Sequence, residues 1–188
     1  DEPYAIMPRL TGRWQKTMGK ANINVFSQFT RFVHDSKQDG SRTVLYPSVR
    51  WDFNNQWGYI RPKIGVHATY YDLGSFGNQS SRRVSRVLPI FNVDTGMTFE
   101  RNANVFGKAY LQTLEPRLFY NYIPTKSQND LPNFDTSENS FSYNQLFREN
   151  LYVGNDRINS ANSLTAAAQT RFLNPKNGAE LFRAGIGQ

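Results

Sequence analysis

The sequence of 188 residues contains no cysteine and only two histidines, His34 and His67. The absence of cysteine excludes disulfides and thiolate metal sites. The two histidines lie far apart in the sequence, and so few nitrogen ligands do not make a histidine-rich metal site. We therefore expect neither a metal centre nor a cofactor.

Long hydrophobic runs are also missing. No stretch approaches the ~20 apolar residues that a transmembrane helix needs, but a membrane-crossing strand needs only ~9–11 residues at half the hydrophobic density. The first residues, Asp1, Glu2 and Pro3, do not resemble a signal peptide, so we expect any such peptide to lie outside this chain or to have been removed. A helical span is excluded, whereas a spanning strand is not.

Catalytic motifs are absent as well. Neither histidine has a catalytic motif near it, no G-x-S-x-G occurs, and no glycine-rich phosphate loop precedes a helix. Glu115 has no neighbouring carboxylate with which to share acid–base chemistry. An outer-membrane enzyme would need a Ser–His pair in a loop, which the sequence does not offer. We predict that the chain is not an enzyme.

Aromatic residues and positive charge are abundant. Aromatic residues make up 14% of a chain that is only 38% hydrophobic, and the net charge is +7. A high aromatic content together with a low hydrophobic content is typical of strands with one apolar side and of aromatic girdles. The charge suits either a solvated surface or an attraction for anionic groups, nucleic acid or phosphorylated lipid. We expect no nucleic acid, because the apolar faces described next are too long and regular for a soluble binder.

Alternation of apolar and polar residues runs through three long segments, 42–54, 59–71 and 109–123. In the first, Leu45, Val49 and Phe53 share one phase, while Arg42 and Arg50 share the other. A period of two predicts strands with unlike faces. With weaker alternations elsewhere, we predict about eight strands, near 4–14, 20–33, 41–54, 58–71, 84–100, 107–123, 162–173 and 179–188.

The predicted connections alternate in length. Short ones fall near 15–19, 55–57, 101–106 and 174–178, with Asn177-Gly178 suited to a tight hairpin, and long ones near 34–40, 72–83 and about 124–161. Membrane barrels have short periplasmic turns and long extracellular loops. We predict an all-β, antiparallel transmembrane β-barrel segment, with 1–188 forming part of one outer-membrane domain. A small closed barrel and a soluble β-sandwich are the alternatives.

Two features of this pattern are irregular. Pro47, Pro62, Pro89 and Pro116 fall inside predicted strands, where we expect bulges, with a locally loose ladder as the alternative. The long loop is polar yet carries many large apolar residues, so we expect it to fold over something, with a helical turn near 143–149, although a disordered insertion is the other interpretation. These apolar residues are Leu131, Phe134, Phe141, Tyr143, Leu146, Phe147, Leu151, Tyr152 and Ile158.

A series of motifs resembles one known family. The series reads LEPRLFY at 114–120, LPNFD at 131–135, QLFREN at 145–150, GNDRI at 154–158 and ANSLT at 161–165. In this order it resembles LptD, the lipopolysaccharide-assembly family, with a detailed match over about 84–188. The resemblance implies a multi-pass barrel in the outer membrane of a Gram-negative cell, of which this chain would be an internal segment.

The resemblance also implies a function and partners. It implies that the protein moves lipopolysaccharide into the outer leaflet together with an LptE-like plug lipoprotein, so that the expected partners are this plug, lipopolysaccharide and outer-membrane lipid. A porin-like passive channel is the alternative function.

Charged residues on the predicted polar faces are the candidate site. Arg50, Arg61, Lys63, Glu115 and Arg117 are predicted to face the lumen, where they would contact a plug or an anionic headgroup or be merely solvated. Glu115 is predicted to pair with Arg117 or with a residue on a facing strand.

Three charged residues in the long loop are predicted to anchor it. These residues are Arg148, Asp156 and Arg157. A lipid-phosphate contact by one of the two arginines is the alternative.

Overall fold

The structure is a computed structural model that describes residues 3–138, 143–150 and 152–188. In these residues it consists of strands and one short 3-10 turn, Tyr143–Phe147. The strands are β1 Ala5–Met18, β2 Ala21–Val33, β3 Gly40–Trp51, β4 Phe53–Asn54, β5 Gly58–Leu73, β6 Arg82–Met97, β7 Phe99–Val105, β8 Lys108–Ile123, β9 Ser137–Glu138, β10 Tyr152–Val153, β11 Ala161–Leu173 and β12 Glu180–Gly187. No helix within the described ranges is long and apolar enough to cross a membrane.

Ten of the strands form a single antiparallel sheet in the order β1-β2-β3-β5-β6-β8-β11-β12, with β4 beside β5 and β7 beside β8. β4 keeps the register of β3 against β5, and β7 keeps the register of β6 against β8. The sheet therefore follows a path of eight long strands, each next to its neighbour in sequence. This confirms the predicted all-β antiparallel class. β9 and β10 form a separate small ladder.

Long connections join the strands at one end of the sheet, and short connections join them at the opposite end. The long connections are residues 34–39, 74–81 and 124–160. The short connections, at the other ends of the strands, are residues 19–20, 55–57, 106–107 and 174–179. The predicted turn at 101–106 was wrong, because β7 continues to Val105 and the chain reverses at Phe106 and Gly107, with φ of 50° and 75°. The turn predicted at 15–19 is likewise confined to residues 19–20, since β1 continues to Met18. In both places mostly polar residues continue the ladder through backbone pairing, so the apolar pattern there is weak.

The predicted bulges at the interior prolines were also wrong. Pro47, Pro62, Pro89 and Pro116 each lie opposite a partner in an unshifted register. The ladder is instead loose on one side of three prolines while the register stays the same. Pairs 46–67 and 47–66 are missing beside Pro47, pairs 51–62 and 52–61 beside Pro62, and pairs 97–116 and 98–115 beside Pro116. A proline removes one N–H, and its neighbours still hold the strands in register. The register does shift in β1, between Ile6 and Arg9.

The strands are staggered across the sheet. A row of paired residues runs from Thr17 at the end of β1 through Asn22, Arg50 and Lys63 to Asn92 in β6. Toward the short turns from that row, β1 has only Met18 left, whereas β6 and then β7 continue to Val105. Progressive stagger of this kind accompanies strand tilt in barrels. The described strands form an open sheet with β1 and β12 at its two ends, so closure stays a prediction.

The two faces of the sheet differ in chemistry, and the apolar one is uncovered. On this open face, large apolar side chains are between 38% and 53% exposed: Leu45, Ile60, Ile64, Val66, Val87, Phe91, Leu114, Leu118 and Tyr122. On the opposite, loop-covered face, polar side chains are less than 7% exposed: Arg42, Ser48, His67, Thr69, Arg86, Asn92, Thr113 and Asn121. This distribution is the reverse of that in a water-soluble protein.

The long loop, residues 124–160, packs against the loop-covered face. Ile158 of the loop joins Leu88, Ile90 and Ile123 in one buried cluster. Leu131 joins Tyr71 and Leu73 in another. The core therefore lies between loop and sheet, which explains the large apolar residues in this otherwise polar segment. The 3-10 turn lies within the predicted 143–149, whereas Phe141 and Leu151 lie outside the described residues.

Gly65 provides a test of packing on the loop-covered face. A Cβ at this position would lie 2.7 Å from the Tyr46 ring and 3.2 Å from the Pro47 carbonyl oxygen. We expect Gly65→Ala in the intact protein to lower the free energy of unfolding by about 1–3 kcal/mol through overpacking, measured by denaturant unfolding in detergent. Gly74→Ala is the control, because its Cβ would meet only the Asp39 carbonyl oxygen at 3.5 Å. Equal stability of the two variants would contradict this packing.

Candidate functional site

Asp156 is the main anchor of the long loop. Its side chain is completely buried, and its Oδ1 accepts hydrogen bonds from Arg42 Nη1 at 2.7 Å and from the Tyr71 hydroxyl at 2.8 Å. Its Oδ2 accepts from the backbone N–H groups of Phe134 at 2.7 Å and Asp135 at 3.0 Å. The carboxylate thus joins two strands of the sheet to both arms of the loop.

Arg42 is the cation at this anchor. It lies in β3 with no exposed side-chain surface, between Asp156 and Asp135, whose oxygens are 2.6 Å from Nη1 and 2.7 Å from Nη2. The guanidinium carbon of Arg42 lies 5.0 Å from the centroid of the Phe32 ring. Phe134 of the loop stacks on that ring, with 4.3 Å between the two ring centroids. A buried guanidinium is stable only when it is paired and hydrogen-bonded, so the sheet depends on the loop for these carboxylates.

Arg86 in β6 holds the loop in a different way. Its guanidinium, also buried, donates to the carbonyl oxygens of Asn155 at 2.8 Å and Asp156 at 2.5 Å. It further donates to Gln128 Oε1 at 2.7 Å and to the Thr69 hydroxyl at 3.1 Å. These acceptors are all neutral, and they fix the backbone of the loop beside the Asp156 carboxylate.

Glu149 forms a second anchor further down the sheet. Its carboxylate binds the Lys63 ammonium and accepts hydrogen bonds from the Tyr46 hydroxyl and from Asn92 Nδ2, each at 2.8 Å. Its carbonyl oxygen accepts from Asn121 Nδ2 at 3.0 Å. Burial raises the pKa of Glu149, but the Lys63 charge and the three hydrogen bonds outweigh it and hold the pKa below its usual range.

The five residues predicted to face the lumen all lie on the loop-covered face. The Lys63 ammonium binds the Glu149 carboxylate. The Nε atoms of Arg50 and Arg61 lie 3.1 Å and 3.3 Å from Asp52 Oδ1. Glu115 accepts from Arg171 Nε on the facing strand β11 at 2.6 Å, and Arg117 donates to both oxygens of Asp94 on β6 at 2.8 Å and 2.7 Å. The structure thus places each of these residues in an ion pair, and their contact with a plug or headgroup stays a prediction.

The three loop residues predicted as anchors have different surroundings. Asp156 is at the main anchor, and the guanidinium of Arg157 donates to the carbonyl oxygens of Gln128 and, at 3.5 Å, Leu131 within the loop. Arg148 is exposed, and its backbone N–H donates to the Gln145 carbonyl oxygen at 3.2 Å. No group of three or more potential metal ligands occurs in the ranges that the structure describes.

The residues that hold the loop on the sheet side were not predicted from the sequence. Arg42 and Arg86 were visible only as polar members of alternating strands, and Glu149 only as part of a motif. One signal was available, because an arginine on the inner face of a strand needs a partner. The pattern gave no indication that this partner would come from the long loop.

Asp156 allows a direct test of the main anchor. Asp156→Asn leaves the buried Arg42 with Asp135 as its remaining carboxylate. We therefore expect the free energy of unfolding to fall by about 3 kcal/mol or more, as when one partner of a buried ion pair is removed. Limited proteolysis of the intact protein should then cleave within 124–160 markedly faster. Asp130→Asn, at an exposed position of the same loop, should leave the cleavage rate unchanged. Equal rates in both variants would refute the anchor.

Glu149 makes the second anchor sensitive to pH. Because its pKa is lowered in the folded protein, the stability it contributes is present above the ordinary glutamate range and is lost as pH falls through the lowered pKa. We expect hydrogen exchange of 143–150, corrected for its intrinsic pH dependence, to accelerate in acid. Glu149→Gln should exchange about tenfold faster at neutral pH, and Glu100→Gln, an exposed control, should not. Exchange that is unchanged in acid would rule out this anchor.

Comparison with known proteins identifies the family. The family model described as "LptD: LPS transport system D" matches residues 1–188. LPS-assembly protein LptD of Neisseria meningitidis serogroup A is 69% identical over all 188 residues, and that of Neisseria gonorrhoeae is 67% identical. The protein of the same name from Chromobacterium violaceum is 47% identical over 190 aligned residues. The chain spans about a quarter of the length of these relatives, 23% to 24%, and is itself covered completely. It therefore belongs to the LptD family.

Proposed function

We propose that this chain is a segment of the wall of an outer-membrane β-barrel. The observation that carries the proposal is the uncovered apolar face, on which Ile64, Leu118 and their neighbours are about half exposed. Such a face is stable against lipid and unfavourable against water. The stagger of the strands and the separation of short and long connections also favour a tilted, membrane-spanning sheet.

The proposed barrel has a defined orientation. The loop-covered face lines the lumen, the long connections face the cell exterior, and the short turns face the periplasm. The long loop then fills the outer part of the lumen, with its anchors at Asp156 and Glu149. The ion pairs of Arg117 and Arg171 lie on the same face nearer the short turns, where they would contact a plug.

We further propose that the intact protein moves lipopolysaccharide into the outer leaflet together with an LptE-like plug lipoprotein. The names of the relatives, LPS-assembly proteins, support this role. The segment itself performs no chemistry; it supplies wall, lumen lining and the folded loop. The porin-like alternative is not favoured, because the loop packs over the lumen-facing surface and the relatives are not named as channels.

Complementation tests both wall and function. Cells depleted of the intact protein should lose newly made lipopolysaccharide from their surface, and the wild-type gene should restore it. Ile64→Arg places a charge on the open face and should cost about 2–4 kcal/mol in the bilayer, so we expect reduced barrel assembly and reduced surface lipopolysaccharide. Surface lipopolysaccharide is measured by antibody labelling and assembly by heat-modifiable gel migration.

Phe106→Arg is the matched control, because Phe106 is fully exposed in a short turn and outside the proposed membrane. We expect it to complement like wild type. Normal assembly of Ile64→Arg would contradict the lipid-facing wall. Unchanged surface lipopolysaccharide after depletion would contradict the transport role, and open-channel conductance of the reconstituted protein would favour a porin.

A further inference from the structure

The long loop contains a polar cavity of its own. The cavity has a volume of about 580 Å³, within the ~300–1,000 Å³ of small-molecule sites. None of its lining residues lies on a strand of the main sheet. They come from residues 128–136, from β9 and β10, and from the segment that follows β10. The lining residues are Gln128, Asn129, Asn133, Thr136, Ser137, Tyr152, Arg157, Ile158, Asn159 and Ser160.

The cavity is built on the main anchor. The Thr136 hydroxyl accepts hydrogen bonds from the backbone N–H groups of Asp156 at 3.0 Å and Arg157 at 3.3 Å. Gln128 accepts from Arg86 at 2.7 Å and donates to the Ile158 carbonyl oxygen at 2.6 Å. The cavity lining is therefore held by hydrogen bonds within the loop and by the contact of Arg86 with Gln128, so a ligand would meet a preorganised surface.

The lining chemistry selects the class of ligand. Amide and hydroxyl side chains predominate, and the apolar member, Ile158, is 4% exposed and faces the core. Arg157 supplies a cation whose described contacts are two carbonyl oxygens, which leaves further N–H donors of its guanidinium. Tyr152 adds an aromatic ring, and the described lining residues include no carboxylate. Such a surface suits a hydroxyl-rich anion and is poorly suited to an acyl chain.

We propose that this cavity binds an anionic saccharide. The inference rests on the proposed function, since lipopolysaccharide carries a charged oligosaccharide and the long connections would face the cell exterior. Amides and hydroxyls of the cavity would hydrogen-bond the sugar hydroxyls, Tyr152 would pack on a sugar ring, and Arg157 would pair with a phosphate or carboxylate. The site would thus bind the sugar part of the lipid, at the loop and not on the sheet.

Direct binding of a lipid-free sugar tests the site. The probe is core oligosaccharide released from lipopolysaccharide by mild acid, titrated into the intact protein in complex with its plug partner and followed by calorimetry and saturation-transfer NMR. We expect saturable binding that Tyr152→Ala and Asn129→Ala each weaken about tenfold. Phe76→Ala and Asn78→Ala are matched controls at exposed positions of the 74–81 connection and should bind like wild type.

Three results would overturn the site. They are no binding of the core oligosaccharide, equal binding by the cavity variants and wild type, or equal binding of the neutral sugar maltoheptaose. Proteolysis of 124–160 in each variant separates loss of the site from loss of the loop fold, since a folded loop keeps the wild-type pattern. Depletion distinguishes the two proposals: if surface lipopolysaccharide falls on depletion while the oligosaccharide does not bind, the cavity proposal fails alone.

Discussion

The structure depends on one constraint, an extended sheet whose apolar side has no protein cover. Leu45, Ile64, Leu118 and their neighbours present this side to the surroundings, and only an apolar environment makes such exposure favourable. The buried polar side chains of the strands, among them Arg42, Arg86 and Asn121, are directed to the other face. That face must satisfy guanidinium, amide and hydroxyl groups beside its two hydrophobic clusters, and the long loop supplies many of the partners they need.

Sheet and loop therefore complete each other electrostatically. Arg42 is buried in the sheet and takes both of its carboxylates, Asp156 and Asp135, from the loop. The loop in turn carries a partly buried Glu149 that takes its cation, Lys63, from the sheet. Removing a partner of the fully buried Arg42–Asp156 pair while the loop stays in place would cost several kcal/mol. This reciprocity explains why a segment rich in Asn, Asp and Ser folds against the strands.

The sequence predicted the strands and their faces because alternation is a local signal. The segments around β3, β5 and β8 carry it over a dozen residues, and the structure places their apolar phases on one face. The loop's fold was out of reach, since Arg42 and Asp156 are separated by 114 residues and nothing local links them. The continuation of β7 to Val105 was missed for a related reason: its polar residues pair through backbone groups that any side chain allows.

Spin-label accessibility along β8 tests whether the open face contacts lipid while the opposite face lines an aqueous, loop-filled lumen. Nitroxides placed singly at 112–123 of the intact protein in lipid bilayers are exposed to oxygen and to a water-soluble nickel chelate. We expect accessibility to alternate with a period of two. Labels at Leu114 and Leu118 should be relaxed by oxygen and protected from nickel, and labels at Glu115 and Arg117 should be less accessible to oxygen. Equal accessibility on both faces, or nickel access at Leu118, would contradict this arrangement.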